Sequence, residues 1–201
     1  MSCVLTTAIF GGTFDPVHLG HSKMVYSVLE QFKPEKLIIV PNANPPHKRD
    51  GVNTDFTHRY NMLKCAFENE ERVMISDYES DESKSYYSIY TMRHFRRLYG
   101  EDTAFIIGAD SLCTIHLWHK HQEFLKENTF IVFHRENDDE FMKVFNHYKN
   151  MGIKLYMADM PFYDMSSTYI RSYLHSGVMP EGALCPGVEE YIRKNALYNF
   201  R

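Results

Sequence analysis

Six short apolar runs, each separated from the next by a longer stretch with helical spacing, constrain this chain more than any other feature. Val4 to Phe10, Lys36 to Val40, Arg72 to Ser76, Ala104 to Ile107, Thr129 to Phe133 and Ile153 to Met157 read as buried strands. Between them, Ser22 to Phe32, Asp55 to Glu68, Ser88 to Leu98, His119 to Lys126 and Glu140 to Asn150 carry apolar residues three or four apart, the period of an amphipathic helix. This order predicts an α/β fold with a doubly wound, mostly parallel sheet, helices on both faces and right-handed crossovers. Ligands in such sheets bind beyond the carboxyl ends of the strands, so the loops after the strands are where function is expected. From Met165 onward two more helical stretches, Thr168 to His175 and Gly187 to Asn195, flank a turn-rich segment. The chain is therefore expected to be one domain over 1–201, an α/β core at 1–164 with a C-terminal helical appendage at 165–201.

Composition narrows the classes. A chain of 201 residues can bury enough surface to fold without disulfides or a structural metal. Lys and Arg number 22 against 26 Asp and Glu, a net charge of −4, so there is no global basic field and no nucleic-acid partner is expected. Cys3, Cys65, Cys113 and Cys185 form no CxxC pair, which points to a reducing, cytoplasmic setting and away from a zinc ribbon. No basic, apolar leader opens the chain, and no apolar run approaches the ~18 residues of a membrane span. The acidic run Asp77 to Glu82 reads as a solvated loop.

The first strand runs into Gly11-Gly12-Thr13-Phe14-Asp15-Pro16-Val17-His18-Leu19-Gly20-His21. Paired glycines at a strand end let backbone approach a ligand that a Cβ would repel. His18 and His21, three apart at the start of the following helix, project beside its positive end and make an anion-binding constellation. Neither G-x-x-x-x-G-K-[ST] nor G-x-G-x-x-G occurs, so a P-loop ATPase and a classical dinucleotide fold are both unsupported. His116, His119 and His121 do not share one helical face, and no protein metal site is expected from them.

The segment G-G-T-F-D-P-V-H-L-G-H resembles the signature of the nucleotidyltransferase superfamily with its H-x-G-H motif. Further segments are similar to those of bacterial nicotinate-nucleotide adenylyltransferases: Pro41 to Lys48, Phe105 to Leu112 followed by Trp118, Met165-Ser166-Ser167-Thr168-Tyr169-Ile170-Arg171, and the ending Tyr191-Ile192 with Leu197-Tyr198. The resemblance spans the chain with its motifs in order. It implies a Rossmann-like nucleotidyltransferase fold and the joining of ATP and nicotinate mononucleotide to nicotinate adenine dinucleotide, with release of pyrophosphate.

The resemblance also implies roles. His18, His21 and Arg171 would be the catalytic groups. Gly11, Gly12, Thr13 and Phe14, with Gly108, Asp110, Ser166, Ser167 and Thr168, would complete the ATP site. His47, Lys48, Tyr87, Ser88, Trp118 and His119 would hold the mononucleotide, the indole of Trp118 stacking on its pyridine ring. Arg59 is a weaker candidate for the same pocket. Several of these readings also stand on physical grounds: Ser166, Ser167 and Thr168 open a helix with Arg171 one turn later, a second phosphate cradle, and Pro45 to Arg49 is a stiff turn ending in basic residues. Three positions depart from the family pattern, Tyr86 in place of a small Ser, Ser88 as a conservative replacement for Thr, and His119 where Tyr is common.

The attacking phosphate is already an anion, so no general base is needed, and a Mg²⁺ ion held mainly by ATP oxygens is the expected cofactor. The expected partners are the two small substrates, and a homo-oligomer is compatible with them. A phosphopantetheine adenylyltransferase or other small nucleotidyltransferase is the nearest alternative. An aminoacyl-tRNA synthetase fragment would bring a K-M-S-K-S-like loop, which is missing here; a non-catalytic nucleotide-binding regulator is the alternative from another class.

Overall fold

A computed structural model describes residues 5–44, 54–134, 138–160 and 165–200. Six strands, β1 (Thr7–Gly12), β2 (Lys36–Pro41), β3 (Val73–Ile75), β4 (Thr103–Gly108), β5 (Thr129–Phe133) and β6 (Lys154–Ala158), form one sheet in the order β3-β2-β1-β4-β5-β6. Every pairing is parallel. The doubly wound expectation is met, and the order reverses direction between β1 and β4, which is where such a sheet opens a crevice.

Among the described residues eight α-helices cover it: α1 (Leu19–Gln31), α2 (Phe56–Ala66), α3 (Ser88–Tyr99), α4 (Ala109–Thr114), α5 (His121–Glu127), α6 (Asp139–Asn150), α7 (Ser167–His175) and α8 (Pro186–Lys194). Alternate residues of β1 feed two apolar cores. Ala8 and Phe10 pack with α1, α2, α7 and α8 through residues such as Val25, Leu63, Ile170 and Ile192. Ile9 packs on the opposite face with α3 to α6 through residues such as Ile89, Leu112, Phe124 and Phe141. Burial on both faces is why the strands read as continuous apolar runs. The C-terminal helices thus complete one of the two cores beside α1 and α2.

Local chemistry sets several helix ends. Ser166 caps α7 by accepting from the Tyr169 N–H, and Asp138 caps α6 by accepting from Phe141 N–H. Pro186 opens α8, and Gly100 stops α3 at a φ of 94°. Element boundaries shift from expectation by up to three residues, and two features differ more in kind. Strand β1 extends through Gly11 and Gly12, paired with Val40 and Pro41, because a parallel neighbour supplies the hydrogen bonds that Gly lacks the propensity to demand. Helix α4 and the 3₁₀ turn Ile115–Leu117 went unread, being too short to show a period.

Candidate active site

The β1–α1 loop is the centre of the site. A Cβ on Gly12 would lie 2.8 Å from the Phe14 ring, and one on Gly11 would lie 3.3 Å from Phe105. The paired glycines therefore make room for this protein's own rings. Phe14 holds a left-handed φ of 53°, uncommon for a bulky residue, while its buried ring stands edge-on to Phe10 and His21. Asp15 is buried, and its Oδ1 accepts the Tyr198 hydroxyl at 2.8 Å, so the end of the chain ties down the loop. Burial, with the Asp15 charge beside it, pushes the Tyr198 phenol well above its ordinary range.

His18 is the residue before α1, and His21 sits in its first turn. The rings stack with centroids 3.7 Å apart, and His21 Nδ1 accepts the His18 backbone N–H at 3.2 Å. In its neutral form His21 therefore carries its proton on Nε2. Burial lowers the pKa of His18 to about 4, so at neutral pH it is an uncharged donor.

Helix α7 meets this loop from the other side. Arg171 Nη1 donates to the Asp15 carbonyl at 2.8 Å and Nη2 to Thr168 Oγ1 at 3.2 Å, while Ser167 Oγ donates to the Pro16 carbonyl at 3.0 Å. Ser166 and its neighbours thus bring a helix N-terminus to the H-x-G-H turn, a meeting across about 150 residues that no local pattern encodes.

Beside the loop lies a cavity of about 320 Å³ at the β1/β4 crevice. Of the expected site residues, Gly11, Gly12, Thr13, Gly108, Tyr87, Ser88, Trp118 and His119 line it. Phe14, His18, His21, Ser166, Ser167, Thr168 and Arg171 are outside its wall, in or against the β1–α1 loop. Asp110 is exposed in the first turn of α4 and does not reach the cavity wall. His47 and Lys48 fall outside the described residues. Trp118 stacks on Phe124, centroids 5.8 Å apart, and stands edge-on to Phe105. Tyr87 lies against His119 at 4.3 Å, and Tyr90 Oη is 3.3 Å from His119 Nε2.

Two expectations are corrected. Arg59 is not a pocket cation: it is 1% exposed and donates to the carbonyls of Thr54, Thr13 and Asn42, bracing the loops after β1 and β2. The acidic run is not wholly solvated either. Asp77, Ser80 and Glu82 are exposed, but Glu79 is 6% exposed, lines the cavity and bonds to Asn42 and Thr91. Burial raises its pKa to about 7. Glu79 carries no local signal, since a loop carboxylate looks solvated until Asn42 and α3 converge on it, and Asn42 falls within the Pro41 to Lys48 segment with no role assigned to it there. Tyr198 belongs to a segment that carries the family resemblance, but only folding places it on Asp15.

Among the described residues no helix is long and apolar enough to cross a membrane, and no group of three or more His, Cys, Asp or Glu is placed to hold a metal ion.

Comparison with known proteins follows the same lines. The cytidylyltransferase-like family matches residues 9–173. A Clostridium tetani protein named "Probable nicotinate-nucleotide adenylyltransferase" is 37% identical over 95% of this chain and 98% of its own. A relative of the same name from Caldicellulosiruptor bescii is 36% identical over 96% and 99%. The structure of Plasmodium falciparum nicotinic acid mononucleotide adenylyltransferase complexed with NaAD shares the fold, with a TM-score of 0.76 at 23% identity over 98% of each chain. With relatives of this identity along nearly its whole length, the chain belongs to the nicotinate-nucleotide adenylyltransferase family of cytidylyltransferase-like proteins.

Proposed function

We propose that this protein transfers the adenylyl group of ATP to nicotinate mononucleotide, forming nicotinate adenine dinucleotide and pyrophosphate in NAD biosynthesis. The observation that carries the reading is one crevice at the β1/β4 switch point, flanked by the H-x-G-H turn and α7 and lined by Trp118 and Tyr87.

A phosphate oxygen of the mononucleotide attacks the α-phosphorus of ATP in line. A bond forms between that oxygen and the α-phosphorus, the bond to the oxygen bridging to the β-phosphorus breaks, and pyrophosphate leaves with the electron pair. The attacking oxygen is anionic, so no side chain need remove a proton. The protein's part is to hold two polyanions together and to donate to the charge that develops. His18 and His21 serve as donors to ATP phosphates, His18 as a neutral imidazole. The N-terminus of α7 with Arg171 is the second cradle, serving the leaving pyrophosphate. Gly108 lets the backbone approach adenine and ribose, and Trp118 with Tyr87 offers ring faces to pyridine. His47 and Lys48 are assigned to the mononucleotide phosphate. Mg²⁺ would enter with the substrate as MgATP, held mainly by phosphate oxygens.

The test is pyrophosphate release from purified protein with MgATP and, separately, nicotinate mononucleotide, nicotinamide mononucleotide or phosphopantetheine. Release with nicotinate mononucleotide is expected. Release with phosphopantetheine alone would overturn the substrate, and release with none would favour a nucleotide-binding regulator.

A further inference from the structure

The wall of the cavity between β2 and α3 contains a buried polar cluster that the reaction described above leaves unused. Glu79 leaves the loop after β3 and reaches two other elements. Its Oε2 accepts from Asn42 Nδ2 at 2.6 Å, and its Oε1 accepts from Thr91 Oγ1 on α3. The backbone around Asn42 is pinned as well. Its N–H donates to the Gly12 carbonyl at 2.9 Å, and its carbonyl accepts from Arg59 Nη1 at 2.8 Å. The Ala43 N–H donates to the Glu79 carbonyl at 3.0 Å. What remains adjustable at Asn42 is which end of its side-chain amide faces which neighbour.

Glu79 decides that. The two ends of an amide are nearly the same shape but opposite in hydrogen-bonding character. An accepting carboxyl oxygen draws the NH₂ end to itself, which leaves Asn42 Oδ1 as the other end. That oxygen is buried with no hydrogen-bond partner, in a residue that lines the cavity. Buried acceptors without donors are rare because their lost hydration is not repaid. A ligand can supply the missing donor. The phosphates and the pyridine carboxylate of the two substrates are anions with no proton to give, and they would also meet the Glu79 carboxyl. Ribose hydroxyls are neutral donors carried by both substrates.

We propose that Glu79 is a positioning residue for a sugar-hydroxyl subsite: it turns the Asn42 amide so that Oδ1 accepts from a ribose hydroxyl of one of the two substrates. The proposal rests on the adenylyl transfer proposed above.

The test uses the full-length protein with MgATP and nicotinate mononucleotide, and with the 2′-deoxy and 3′-deoxy form of each in turn, reading kcat and KM separately. In the unaltered protein one deoxy form should lose about tenfold in kcat/KM, the size of one hydrogen bond to a buried acceptor. Which substrate suffers identifies the source of the hydroxyl. Asn42→Ala should lose a similar factor with the parent substrate and nothing more with that deoxy form, because the same contact is removed twice. Glu79→Ala should erase the preference for the hydroxyl. Glu79→Gln should largely restore it, since the Gln carbonyl can still accept from Asn42 while its NH₂ donates to Thr91.

A merely structural Glu79 would lower activity with parent and deoxy substrates alike, leaving the preference intact. That result overturns the proposal, as does a protein that uses all four deoxy forms within twofold of the parents. Should Asn42→Ala fail to fold, Asn42→Ser takes its place, and the deoxy forms on the unaltered protein still decide. Absence of any turnover with nicotinate mononucleotide is a different failure, that of the reaction itself.

Discussion

Replacing Glu79 by Gln should change how stability depends on pH, by an amount the structure specifies. The carboxyl has an ordinary pKa of 4.5 and is raised to about 7, chiefly by burial, with its hydrogen bonds to Thr91 and Asn42 opposing. The folded state therefore binds this proton more tightly than the unfolded chain does. The stabilisation is fully present below pH 4.5 and is lost as pH rises through 7. At about 1.4 kcal/mol per tenfold in proton affinity, the full swing is about 3 kcal/mol. Gln does not titrate, so Glu79→Gln should gain on the parent protein by up to about 3 kcal/mol between pH 4.5 and 8. His18, lowered from 6.5 to about 4 by burial, contributes in the opposite sense: its stability is present above pH 6.5 and lost as pH falls through 4. That contribution is common to both proteins and cancels in the difference. Urea unfolding of both at pH 5 and pH 8.5, extrapolated linearly to water, measures it. A difference that stays constant within about 0.5 kcal/mol, or that favours Gln more strongly at low pH, would refute the reasoning.

Three further outcomes are expected. His18→Ala should cut turnover by orders of magnitude while circular dichroism shows the fold intact; near-normal activity would remove the H-x-G-H turn from the mechanism. Tyr198→Phe deletes the hydroxyl that donates to buried Asp15 and should cost about 1–3 kcal/mol, seen in calorimetry as a melting point lower by several degrees. An unchanged melting point would mean that the chain end does not anchor the loop. Trp118→Ala should raise KM for the mononucleotide about tenfold and leave KM for ATP nearly unchanged, the signature of a lost ring stack.

The alternation of buried runs with amphipathic stretches was enough to specify a parallel doubly wound sheet, because strands buried on both faces and helices buried on one have different periods in any context. The same linear reading found the Gly11 to His21 segment at a strand end and Ser166 to Arg171 at a helix start, since glycine pairs and hydroxyl caps act locally. Gly11, Gly12, Thr13 and Gly108 line one cavity for that reason, because strand ends are brought together by the topology itself, and Tyr87, Ser88, Trp118 and His119 join them from the segments that follow β3 and β4.

What tertiary structure alone decided is the state and setting of the polar groups. Whether His18 is a cation depends on how much protein covers it. Whether Arg59 faces a ligand depends on three carbonyls drawn from separate loops, at Thr13, Asn42 and Thr54. In the sequence Glu79 is one acid among several, yet it differs from exposed Asp77 because Asn42 in the loop after β2 and Thr91 on α3 close on it. Hydrophobic period is a property of neighbours along the chain and can be read there. Desolvation and hydrogen-bond partnership are properties of neighbours in space, and exist only once the chain has folded.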